Sequence, residues 1–91
     1  MTVLVRYQAQ LRQILGAACE TFDLEDNSSV LDLLRRIAEG TPQGASLLLD
    51  PEGKKRASLL VFVRDQQVQA EHRLCTGDEV TLMTPIAGGA P

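Results

Sequence analysis

At 91 residues the chain has room for one compact domain and none for a second. Hydrophobic residues at 44% and charged residues at 23% are a globular balance, which argues against disorder. A net charge of −3 argues against nucleic-acid binding, which calls for a strongly basic surface. So small a domain has little interior left for an enclosed active site, so an autonomous enzyme is not expected.

No apolar run approaches the roughly 20 residues a membrane span needs. The segment Met1-Thr2-Val3-Leu4-Val5-Arg6-Tyr7 lacks a basic leading region and is interrupted by Arg6, so it does not read as a signal peptide. The expected compartment is the cytoplasm, with no membrane partner. Cys19 and Cys75 have neither Cys-x-x-Cys nor metal-ligand spacing. They are expected to be free thiols acting as small buried hydrophobes. No metal site is expected.

In chain order, residues 2–8 alternate and are rich in β-branched side chains, which predicts a strand. Residues 11–15 predict a short helical turn or a wide loop ended by Gly16. Residues 18–24 alternate again, and the two strands suggest a hairpin. The clearest helix follows. Ser29 is an N-cap with Asp32 three residues on, near a capping box. Val30, Leu31, Leu34, Ile37 and Ala38 form its apolar stripe. Arg35 and Arg36 read as late cations suited to the macrodipole, and Gly40 as the stop ahead of Pro42.

Residues 41–57 read as irregular, with Leu47-Leu48-Leu49 as a further helical turn over the core. Lys54-Lys55-Arg56 reads as a solvated loop. Residues 58–64 form the most hydrophobic strand, whose continuous run suggests cover on both faces. Asp65-Gln66-Gln67 reads as a turn, Val68 as the start of a short extended piece, and Thr76-Gly77-Asp78 as a second turn with Gly77 at positive φ. Residues 79–84 form the last strand, ended by Pro85. The order predicts an α+β domain, a mixed sheet of four to five strands with one main helix on one face. Residues 1–85 are the domain and residues 86–91 a flexible tail.

The stretch from Leu74 through Gly77-Asp78-Glu79-Val80 to Pro85-Ile86-Ala87-Gly88-Gly89 resembles the C-terminal signature of the ThiS/MoaD sulfur carriers. Leu11 to Gly16 and the helix near Ser29 are also similar. The resemblance spans nearly the whole chain and implies a ubiquitin-like β-grasp fold with the first and last strands parallel at the sheet centre. It further implies that the chain is a carried substrate, with no catalytic residues and no bound cofactor. A ubiquitin-activating-type adenylyltransferase would use ATP to adenylate the Gly89 carboxylate, and sulfide would convert the acyl-adenylate to a thiocarboxylate. Ile86, Ala87 and Gly88 would thread the tail into the enzyme's channel, glycine because it lacks a Cβ. The acceptor pathway would be cofactor or metabolite biosynthesis, with a sulfur-transferring synthase subunit as a further partner.

Here Ala90-Pro91 follows the diglycine, and an amidated Gly89 has no carboxylate to activate. The expectation is a precursor cut between Gly89 and Ala90 by a JAMM-type metallopeptidase. Two rivals stand beside it: a ubiquitin-like modifier conjugated through Gly89, and an interaction module with an inert tail. Met83, Tyr7 and Leu60 are candidates for an apolar partner surface. Alternation alone does not say whether they lie there or under the helix. His72 reads as a solvated histidine, and Asp78-Glu79 as turn residues rather than paired catalytic carboxylates.

Overall fold

The structure is a computed structural model and describes residues 1–84. Its elements are β1 (Thr2–Gln8), α1 (Gln10–Leu15), β2 (Cys19–Asp23), α2 (Val30–Gly40), α3 (Pro42–Leu48), β3 (Leu60–Val63), β4 (Gln66–Gln67) and β5 (Glu79–Met83). They form one five-stranded sheet in the order β2-β1-β5-β3-β4. β1 pairs antiparallel with β2 and parallel with β5, and β3 pairs antiparallel with β5. The last strand is therefore the central one, as the resemblance implied.

Alternation decides the layering. Val3, Val5 and Tyr7 of β1, Val61 and Val63 of β3, and Val80 and Leu82 of β5 point to one face and are buried. Against that face pack Val30, Leu33, Leu34 and Ile37 of α2, Leu11 of α1 and Leu48 of α3. Leu33 belongs to the buried stripe, while Leu31 and Ala38 sit at its margin.

The start of α2 is a full capping box. The Ser29 Oγ accepts from the Asp32 N–H at 3.2 Å, and an Asp32 carboxylate oxygen accepts from the Ser29 N–H at 2.9 Å. Ser29→Ala is expected to cost about 1 kcal/mol in urea unfolding. The Ser29 N–H, and secondarily the Ser29 hydroxyl donating to the same oxygen at 3.1 Å, hold the Asp32 carboxyl below its ordinary range. A depressed folded-state pKa gives stability that is present above the unfolded value of about 4 and is lost as pH falls through the folded value. Asp32→Asn, which removes the titrating group, should therefore flatten the acid limb of the stability curve, and an unchanged limb would contradict this role for the carboxylate.

Several local expectations are corrected. Gly40 is the last helical residue, and Thr41 is the C-cap. Arg35 and Arg36 lie mid-helix, outside the last turn. They donate instead to the Gly53 carbonyl at 3.3 Å and the Asp23 carbonyl at 3.1 Å. Pro42 stops one helix and opens the next at its first position, so the segment read as irregular begins with α3. The Lys54-Lys55-Arg56 loop is tied down: Lys55 Nζ donates to the Leu59 carbonyl at 2.9 Å and Arg56 Nε to the Ser46 carbonyl at 2.7 Å.

The hydrophobic run at 59–63 alternates in burial, because the helices cover only one face of the sheet and leave Leu60 and Phe62 half-exposed on the other. The turn after β3 is Arg64-Asp65, both at positive φ (53° and 68°), which matches the twist of a two-residue hairpin. Gln66 and Gln67 then form β4 rather than the turn.

Candidate functional site

The outer face of the sheet carries Met83, the strand residue closest in sequence to the diglycine tail. β5 runs from a charged end to an apolar one. At its start Glu79 pairs with Arg6 of β1 at 3.1 Å, and Asp78 pairs with Arg64 at 2.9 Å. At its end Met83 lies in register between Gln8 of β1 and Leu60 of β3, with Phe62 beside Thr81 one step back. Leu60, Phe62 and Met83 thus share one half-buried apolar face.

Tyr7 is corrected out of that surface. It is 2% exposed and faces the helices, because its register position in β1 has the parity of Val3 and Val5. Its hydroxyl donates to Glu20 of β2 at 2.8 Å. Burial, and secondarily the Glu20 carboxylate, pushes the phenol pKa upward, so it stays protonated. Phe62 was not anticipated as its replacement. The signal was two-residue spacing from Leu60, hidden by the continuous apolar run.

Asp78 is 3% exposed and structural, as expected. One carboxylate oxygen accepts the Cys75 N–H at 2.8 Å and the other meets Arg64. Gly77 has φ 87° and donates its N–H to the Thr2 carbonyl at 2.9 Å, fastening the turn to β1. His72 is exposed. Both cysteines are exposed, contrary to expectation: Cys19 has outer-face parity opposite Arg6, and Cys75 lies in the loop before Gly77. Thr84 is 5% exposed, and its hydroxyl has no partner among the described residues. Ile86, Ala87, Gly88, Gly89 and Ala90, with the boundary at 85, lie outside the described residues. Among the described residues no group of three His, Cys, Asp or Glu side chains could hold a metal, and no helix is long and apolar enough to cross a membrane.

The ThiS family model matches residues 5–89, from the first strand through the second glycine. The chain belongs to the ThiS family. This ThiS-family chain is 30% identical over 92 aligned positions to the molybdopterin synthase sulfur carrier subunit of Chlamydomonas reinhardtii, covering 98% of this chain and all of that one. Among solved structures, SAMP1 from Haloferax volcanii superposes with a TM-score of 0.90 at 20% identity, covering 98% of this chain and 100% of that one. The BexX/CysO complex from Amycolatopsis orientalis contains a chain similar at a TM-score of 0.70 and 24% identity, with 96% and 99% covered. These likenesses establish the ubiquitin-like β-grasp fold. Proteins of this sulfur-carrier type serve as small substrate proteins rather than catalysts.

Proposed function

We propose that this chain carries sulfur on its C-terminal diglycine. The observation that carries the reading is the family match extending to Gly89, on a chain whose last described strand is the central strand of the sheet. A central strand is held on both sides, so Met83 and Thr84 give the following residues a rigid base. The apolar outer face of Leu60, Phe62 and Met83 docks an adenylyltransferase beside that base. The Gly89 carboxylate attacks the α-phosphate of ATP, releasing pyrophosphate and forming the acyl-adenylate. Sulfide then displaces AMP to leave the thiocarboxylate. ATP belongs to the partner, and this chain supplies only the carboxylate. A carboxylate exists at Gly89 only after the Gly89–Ala90 peptide bond is hydrolysed, the step assigned to a JAMM-type metallopeptidase. The sulfur passes to a biosynthetic acceptor through a synthase, a reading supported by the molybdopterin synthase subunit that this chain resembles.

The test compares the full chain with a form ending at Gly89, each supplied to the adenylyltransferase of the native host with ATP and labelled pyrophosphate. Label should enter ATP with the Gly89 form only. Equal exchange by both forms, or none by either, would overturn the proposal. The rival modifier reading, favoured by the closeness of fold to a small archaeal modifier protein, requires Gly89-dependent conjugates to other proteins.

A further inference from the structure

The sheet ends on one side at β2, whose outer edge is paired with no other strand among the described residues. The β1–β2 hydrogen bonds fix which backbone groups point outward. The Tyr7 N–H donates to the Ala18 carbonyl at 2.9 Å, the Leu24 N–H to the Met1 carbonyl at 2.8 Å, and the Met1 amine to the Leu24 carbonyl at 2.7 Å. With the register Val3↔Phe22 and Val5↔Glu20, the alternation of an antiparallel ladder turns the N–H and C=O groups of Cys19, Thr21 and Asp23 away from β1. Arg36 of α2 takes the Asp23 carbonyl at 3.1 Å and closes that end. Cys19 and Thr21 are exposed, and their outward groups have no partner among the described residues.

Beside this edge runs a groove between β2 and α2, lined by Glu20, Phe22, Arg36, Ile37 and Glu39. Its apolar floor is the half-buried Phe22 and the buried Ile37. Its rim carries two carboxylates, Glu20 and Glu39, against the single cation Arg36.

We infer that the β2 edge docks an extended cationic segment of a partner protein, which adds as a further antiparallel strand. Backbone bonds to Thr21 supply the pairing, and the groove supplies the selectivity. A residue opposite Thr21 exchanges both backbone hydrogen bonds with it. Its neighbour opposite Phe22 faces the apolar floor and is aliphatic. Its neighbour opposite Glu20 meets the carboxylates and is lysine or arginine. β1 separates this edge from β5, so the segment binds whether or not the diglycine is engaged.

The test is a titration of the folded chain with the capped peptide acetyl-Thr-Val-Thr-Lys-Thr-Lys-amide, followed by backbone amide NMR. Saturable shifts at Cys19, Thr21, Phe22 and Ile37 are expected, and none when glutamate replaces both lysines. Thr21→Pro removes the outward donor without touching the β1 ladder, an arrangement edge strands tolerate. It should weaken binding by roughly tenfold, the order expected for one lost backbone hydrogen bond. Glu39→Lys, on the exposed helix face, should also weaken it with the spectrum otherwise unchanged. Shifts confined to Leu60, Phe62 and Met83, equal binding by Thr21→Pro and Glu39→Lys, or no saturable shifts would overturn the inference. So would a peptide-free dimer in sedimentation that Thr21→Pro abolishes, because the occupant would then be a second copy.

Discussion

Leu82→Ala is expected to lower the unfolding free energy by about 2–5 kcal/mol, the range for a large buried aliphatic truncated in a core. Leu82 is fully buried in the central strand, between Tyr7 of β1 and Val61 of β3 in register. Both neighbouring strands hold the backbone in place, so the surroundings have little freedom to collapse into the space left. A small domain has a total stability of about 5–15 kcal/mol and tends to the low end, so the loss is a large fraction of the whole. Met83→Ala, one residue on but facing outward and half-exposed, should cost well under half as much. Urea unfolding of the two variants checks the layering directly. Equal costs would mean that the buried face is misassigned.

The second large effect is at the turn that launches the same strand. Asp78→Ala should cost about 1–3 kcal/mol, because it orphans the Cys75 N–H that its carboxylate accepts at 2.8 Å. The ion pair with Arg64 contributes less. Asp78 is buried, but the Arg64 side chain is 71% exposed and its charge is largely solvated. Two comparisons separate these contributions. Arg64→Ala should cost under about 1 kcal/mol. Asp78→Asn, which keeps an acceptor oxygen for Cys75, should retain most of the stability. If Arg64→Ala matched Asp78→Ala, the ion pair would be the main contribution after all.

The sequence made the elements legible wherever a periodic pattern met a chemical stop. β1, the Ser29 capping box, the Gly77 turn and the central pairing of first and last strands all emerged, the last through resemblance. Other features depend on tertiary context. Tyr7 looked available for a partner surface because alternation states that two faces exist without stating which one the helices cover. The run 59–63 looked doubly covered because its outer members are as hydrophobic as its inner ones. Cys19 was expected inside on residue type, but its pairing with Arg6 places it outside. The Arg64-Asp65 hairpin was misplaced by a residue because neither position carries the glycine that usually marks positive φ. Of the site, the tail motif was legible. The apolar face through Phe62 was not, since it exists only once β3 and β5 are in register.

The intact mass of the protein purified from its native host tests the central proposal most directly. A species ending at Gly89, heavier by the replacement of one oxygen with sulfur and dependent on the activating enzyme, is the expected result. A functional pool that retains Ala90-Pro91 throughout, with no sulfur-bearing form, would contradict sulfur carriage at Gly89.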